Sequence, residues 1–284
     1  MKTRDSQNKL YIAATPIGNL KEVSKRFLEL INEMDILLCE DTRVIKKLLM
    51  LLNINKHFQY YKFDMFSELG QTQKIIDLIT KKNKVMLLSD AGYPTISDPG
   101  YQLVNACIKS DIAIEVINGP CSLIHALVGS GFSSQEFLYL GFLGKTSIER
   151  TKKLHKYIDI NTTWIILESV HRLKECLKDL FKVLGAQNIC IAHELTKLHE
   201  EFIYVNLSNI DNIELDYKGE FVIVIDKKPL EYKVNEFEIN EKIVSLLRQG
   251  IRTKDISLIL FNEYNLDAKL WYKKIIELKN KIDK

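Results

Sequence analysis

The chain has 284 residues, 46% of them hydrophobic and 27% charged, which allows two domains with their own cores and excludes a disordered chain. Its 40 basic and 37 acidic residues leave a net charge of +3, too balanced for composition alone to announce a nucleic-acid binder. No apolar run approaches the roughly 18 residues of a membrane span, and the polar start "MKTRDSQNK" is no signal peptide, so a cytoplasmic protein without a membrane partner is expected.

From the N-terminus, "LYIAAT" (10–15), "DILLCED" (35–41), "KVMLLSD" (84–90) and "IAIEVI" (112–117) read as strands. Residues 24–33, 43–52, 67–81 and 100–109 between them carry apolar side chains at helical spacing. Strands alternating with helices predict a mostly parallel sheet, which binds ligands at the carboxyl ends of its strands. Three loops at such ends, "TPIGN" (15–19), "SDAGYPTISDPG" (89–100) and "NGPCS" (118–122), combine glycine and proline. Glycine allows positive φ and close approach while proline stiffens, so these loops suit main-chain contacts with a small polar ligand.

"LVGSGFSSQ" (127–135) reads as the junction between domains. Beyond it, "FLYLGFL", "TTWIILES", "ICIAHEL", "EFIYVNL" and "GEFVIVID" read as strands, with helices at 148–158 and 171–184. The last three strands follow one another without a long helix, which predicts a mixed sheet with antiparallel pairing. A polar stretch at 227–238 with Pro229 reads as a linker, and 237–284 as helices only, with Gly250 ending one and Thr253 capping the next. The tail holds ten basic and seven acidic residues, a surplus equal to the net charge of the chain, and Trp271 and Tyr272 in it could touch RNA. The expected fold class is α/β, with a first domain at 9–130, a second at 131–228, a cofactor cleft between them, and a helical tail at 237–284.

Several chemistries are set aside. In "GFLGKTS", Tyr139 stands where a phosphate-binding loop needs its first glycine, and no Gly-x-Gly-x-x-Gly follows the first strand. No Gly-x-Ser-x-Gly elbow is present either. The five cysteines are scattered, without a Cys-x-x-Cys pair or histidines at ligand spacing, and read as reduced core thiols with no metal site.

In this order, "TPIGNL" (15–20), "EDTR" (40–43), "SDAGYPTISDPG" (89–100), "GPCS" (119–122), "ESVHR" (168–172), "ELTK" (194–197) and "GEF" (219–221) resemble the family of bacterial 16S rRNA cytidine 2'-O-methyltransferases, in the tetrapyrrole methylase superfamily. The resemblance covers about 9–226, and departs from the pattern at Tyr93, Gly144, Thr146, Val170 and His193. It implies two α/β domains of tetrapyrrole methylase type with S-adenosylmethionine folded between them. By position it assigns Asp90, Ala91, Gly92, Ser97, Ser122, Leu167, Glu168, Leu195 and Gly219 to the cofactor. Ribose methylation needs a base or a polarising cation beside the acceptor hydroxyl, for which Glu40, Asp41, Lys145 and His171 are candidates. Asn19, Arg43 and Arg172 are candidates for holding the substrate. The implied substrate is a decoding-region cytidine of 16S rRNA in the assembled small ribosomal subunit, and a homodimer is expected. Two alternatives stand beside it: a methylase of a tetrapyrrole-like small molecule, and a non-catalytic factor for ribosome assembly or RNA binding.

Overall fold

A computed structural model of the chain describes residues 8–212, 219–228, 236–264 and 268–282. The first sheet holds β1 (Lys9–Ala13), β2 (Ile36–Cys39), β3 (Gln59–Lys62), β4 (Val85–Leu88) and β5 (Ala113–Ile117). All pair in parallel, in the order β3-β2-β4-β1-β5. Alternation along the strands divides the core between two faces. Leu10, Ile12, Ile36, Leu38, Val85 and Leu87 pack against α3 (Glu68–Thr80) and α4 (Tyr101–Lys109) through Ile75, Ile79, Leu103 and Cys107. Ala13, Leu37, Cys39, Met86 and Leu88 face α1 (Lys25–Ile31) and α2 (Thr42–Leu51) through Phe27, Ile31, Ile45 and Leu49. β3 was not expected from sequence: its "QYYK" has half-buried tyrosines on both faces and exposed polar ends, as befits an edge strand.

The second sheet holds β6 (Phe137–Phe142), β7 (Thr163–Ser169), β8 (Asn188–His193), β9 (Glu201–Asn206) and β10 (Glu220–Asp226). Its order is β6-β7-β10-β8-β9, with β6 and β7 parallel and the remaining pairs antiparallel. α6 (Ser147–Lys156) and α7 (Leu173–Leu184) cover the face carrying Trp164, Ile166, Ile191, Phe221 and Ile223. α5 (Ser122–Ser130) covers the other, setting Leu123, Ala126 and Leu127 against Ile165, Ala192, Val222 and Val224. Of the stretch 127–135, read as the junction, the first residues finish α5, and Gly131, at φ 69°, ends that helix in the left-handed conformation. Cys39, Cys107, Cys176 and Cys190 are buried free thiols, and burial pushes Cys107 and Cys190 up to about 11.

Both sheets lie in one compact unit ending at Lys227, and the residues from Lys228 onward form a second. In that second unit α8 (Glu236–Arg248), α9 (Thr253–Tyr264) and α10 (Ala268–Ile282) share a core of Ile239, Ile243, Ile256, Leu260, Trp271 and Ile275. Trp271, read above as a possible RNA contact, is instead a core residue with its indole under Lys274. Thr253 is the first residue of α9 and Arg252 precedes it, paired with Asp255. Pro229 and the rest of the expected linker up to 235 lie outside the described residues. No helix among the described residues is long and apolar enough to cross a membrane.

Candidate active site

The carboxyl ends of the first sheet's strands meet one end of the second sheet around a cleft of about 550 Å3. Its lining from the first sheet is Ile17 after β1, Glu40 after β2, Asp90, Ala91, Ile96, Ser97 and Asp98 after β4, and Ser122 at the start of α5. From the second sheet come Phe142, Leu167, Glu168, Glu194, Leu195, Lys197 and the stretch Gly219, Glu220, Phe221 and Val222. The antiparallel register of β7 and β10, Leu167 beside Val222 and Glu168 beside Phe221, brings the last two groups to one edge.

Close backbone packing fixes these loops. Thr15 and Gly92 exchange two main-chain hydrogen bonds, at 2.9 and 3.1 Å, and the Thr15 hydroxyl donates to the Ser89 carbonyl. Gly92 thus braces the loop from behind the lining. A Cβ on Gly18 would meet Lys197 Cγ at 2.6 Å and the Leu195 carbonyl oxygen at 3.0 Å, so the loop after β1 touches the loop after β8 only because residue 18 is glycine. A Cβ on Gly219 would likewise run into the Glu194 carboxylate. On the other side, the Ser97 and Tyr139 hydroxyls are 2.6 Å apart, joining the two halves where β6 bulges between Tyr139 and Gly141. Thr95 and Ser97, at φ 73° and 65°, hold left-handed backbone in the same loop.

Six lining residues are carboxylic acids; Glu168 is paired with Arg172 and Glu194 with Lys197, which leaves Glu40, Asp90, Asp98 and Glu220. Burial, with the nearby charges of Glu40, Asp90 and Glu220, lifts Asp98 to about 7. Burial and Asp90 raise Glu40, and burial raises Asp90 against the lowering effect of the Asp41 N–H that it accepts at 3.3 Å. Apolar walls from Ile17, Phe142, Leu167, Leu195 and Val222 face this acidic group.

The residues expected from sequence divide into those at the cleft and those around it. Asp90, Ala91, Ser97, Ser122, Leu167, Glu168, Leu195, Gly219 and the candidate base Glu40 line it. Glu168 does so by its position in β7, yet its side chain follows Trp164 and Ile166 to the opposite face. There its carboxylate, on a residue only 1% exposed, accepts from Ser169 N and from Arg172 Nε and Nη2 at 2.8–2.9 Å. Arg172 is thereby an anchor for Glu168. Asp41 caps α2: its carboxylate accepts from Arg43 N at 2.8 Å and pairs with the Arg43 guanidinium at 2.6 Å, which holds it at about 2. Lys145 is exposed beside the capping box of α6, in which Thr146 and Glu149 cap each other. His171 is exposed in the 3-10 turn 170–172. Asn19 caps the 3-10 turn 20–22 by accepting from Lys21 N. Asp98, Glu220, Glu194 and Lys197 went unnoticed in the sequence, although "SDPG" and "GEF" had both been marked there.

Residues 9–211 match the family of Tetrapyrrole (Corrin/Porphyrin) Methylases. "Ribosomal RNA small subunit methyltransferase I" of Mycoplasma genitalium is 36% identical, over 93% of this chain and 96% of its own. The protein of the same name from Hydrogenobaculum sp. is 41% identical over 79% of this chain and 98% of its own. Among solved structures, uroporphyrin III C-methyl transferase from Thermus thermophilus aligns over 76% of this chain and 96% of its own, with a TM-score of 0.55 and 15% identity. A diphthine synthase aligns over 76% and 88%, with a TM-score of 0.58 and 11% identity. At those identities the two structures speak for the fold alone.

Proposed function

The chain belongs to the tetrapyrrole methylase family, and within it to the ribosomal RNA small subunit methyltransferase I group; from that premise we propose that it methylates the ribose 2'-oxygen of a decoding-region cytidine in 16S rRNA, on the assembled small subunit. The observation that carries this reading is the cleft, built from loops of both sheets and lined by carboxylates without any phosphate-cradling loop. S-adenosylmethionine, when bound, supplies a methyl group on a positively charged sulfur with a neutral leaving group.

The residues present suit that group. Its ammonium and sulfonium charges match Asp90, Asp98, Glu40 and Glu220, and its adenine matches the walls made by Leu167, Leu195 and Val222. The main chain at Asp90, Ala91 and Gly219 would take its polar edges, with Ser97 and Ser122 beside them. The task left to the protein is to align the acceptor oxygen, exclude water and take one proton from the hydroxyl. Glu40, Asp90 and Asp98 are the carboxylates suited to that proton, since all three are raised above the ordinary carboxylate range. Asp41, held at about 2 and bound to Arg43, serves better as a cap that positions the Glu40 turn. Lys145 and His171, exposed and outside the lining, would attend to RNA and not to the ribose hydroxyl.

The test is methyl transfer from labelled S-adenosylmethionine to small subunits lacking the modification, followed by nucleoside analysis. The expected product is 2'-O-methylcytidine, lost in Asp90→Ala. Methylation of a base, or transfer only to a macrocyclic precursor, would replace the ribose reading.

A further inference from the structure

Between Asp41 and Asp64 the chain contains no carboxylate and five lysines or arginines: Arg43, Lys46, Lys47, Lys56 and Lys62. In a chain whose charges are otherwise nearly balanced, residues 42–63 form a basic stretch free of carboxylates. Aromatic residues are interleaved with the cations. Lys46 lies 4.9 Å from the centre of the Tyr60 ring, and Lys74 of α3 lies 4.6 Å from that of Tyr61. These groups sit on α2 and on the edge strand β3, so the face has no strand beyond it.

The face ends in a turn with an unusual side chain. Phe66 is 99% exposed, with Met65 beside it at 72%. The turn holding them is stiff: Asp64 accepts from Phe66 N and Ser67 N at 3.1 and 2.8 Å, and pairs with Lys62 at 2.9 Å. One residue on, the buried Glu68 carboxylate accepts from the main-chain N–H groups of Gly100, Gln102 and Leu103, tying the turn to the loop that carries Ser97 and Asp98. The turn follows β3, where Phe63 N donates to the Cys39 carbonyl at 2.8 Å, one residue before the cleft-lining Glu40. A large aromatic ring carried into water on a hydrogen-bonded turn next to exposed cations has the chemistry of a platform for an unstacked nucleotide base with its flanking phosphates.

Building on the RNA reading above, we propose that the α2–β3 edge of the first sheet is the RNA-docking surface, with Phe66 stacking on an unpaired base beside the target nucleotide and Arg43, Lys46, Lys47 and Lys62 facing the phosphates. The cleft itself, lined by carboxylates, repels a polyanion, so the phosphates of the bound strand stay outside on this basic face and only the target ribose enters.

The test compares the full-length wild type with Phe66→Ala, Phe66→Trp and the double variant Lys46→Glu/Lys47→Glu. The readouts are affinity for S-adenosylmethionine and methyl transfer to unmodified small subunits across a salt series. Loss of a stacking contact raises KM for the subunit by about tenfold or more in Phe66→Ala, with Phe66→Trp restoring it. The double variant lowers the slope of log(kcat/KM) against log[salt] by roughly one to two. In each case affinity for S-adenosylmethionine stays at the wild-type level. An unchanged KM in both Phe66→Ala and the double variant overturns the docking surface while leaving the proposed function standing. So does a Phe66→Ala protein that changes from dimer to monomer, since the ring is then covered by a second copy. A wild type that binds S-adenosylmethionine but methylates no small subunit overturns the functional reading itself, and with it the RNA as occupant.

Discussion

Asp98 is the residue whose behaviour departs furthest from its type in the cleft. With a folded value near 7 against 3.8 for the free side chain, the native state binds more protons than the unfolded chain between those limits. Stability therefore falls as pH rises from about 4 to about 7, and the full penalty is present above that. Asp98→Asn removes it, so the melting temperature of the variant should exceed that of the wild type at about pH 8 and match it near pH 4. A cationic ligand in the cleft reverses the balance by expelling the proton. Affinity for S-adenosylmethionine should rise between about pH 6 and pH 8, with proton release measurable by calorimetry in buffers of different ionisation enthalpy. S-adenosylhomocysteine, which lacks the sulfonium charge, should show a weaker dependence. Asp98 could not be singled out from sequence because its environment is assembled from Glu40 after β2 and Glu220 of β10, far away along the chain. Glu168 carries the converse lesson: motif position placed it at the site, and strand alternation turned its carboxylate away from it.

Among the elements, the strands with unbroken apolar runs were legible and the partly exposed ones were not. β2 and β4 are buried along their whole length and announce themselves. β3 does not, because an edge strand of four residues needs neither an apolar run nor alternation. α5 was obscured by its Gly129 and Ser130, read as loop residues. A Cβ on Gly129 would run into the Phe202 ring, so close packing against β9 selects the glycine there. "GKTS", the fragment of a nucleotide-binding loop, is explained by helix chemistry: Thr146 caps α6 and Glu149 reciprocates. The same helix is fastened to α7 by a buried ion pair, Arg150 with Asp179 at 2.7 Å, and Arg150 also donates to the Lys145 carbonyl. Arg150→Ala leaves the Asp179 carboxylate without its counter-ion, with the Ser147 hydroxyl still donating to it at 2.7 Å, and should destabilise the first unit by about 3 kcal/mol. Thr146→Ala should cost about 1 kcal/mol. Chemical denaturation followed by the fluorescence of Trp164, which is fully buried against these helices, reports both.

On the scale of the whole molecule, the core clusters of the two sheets draw only on residues before Lys227, and that of the tail only on residues after it. A chain ending at Lys227 should therefore fold and bind S-adenosylmethionine with wild-type affinity, as equilibrium titration can check. The tail's helices were readable from spacing, whereas its tryptophan was misread because helical periodicity gives a face and not what covers it. The carboxylates of the cleft have a wider consequence. S-adenosylmethionine shares its adenosine with ATP, which is far more abundant in a cell, and the two differ most in the charge attached to the ribose 5'-carbon. With the cofactor seated as proposed, a pocket holding Glu40, Asp90, Asp98 and Glu220 would welcome a cation there and disfavour a triphosphate, so that competitor would be rejected with no dedicated filter.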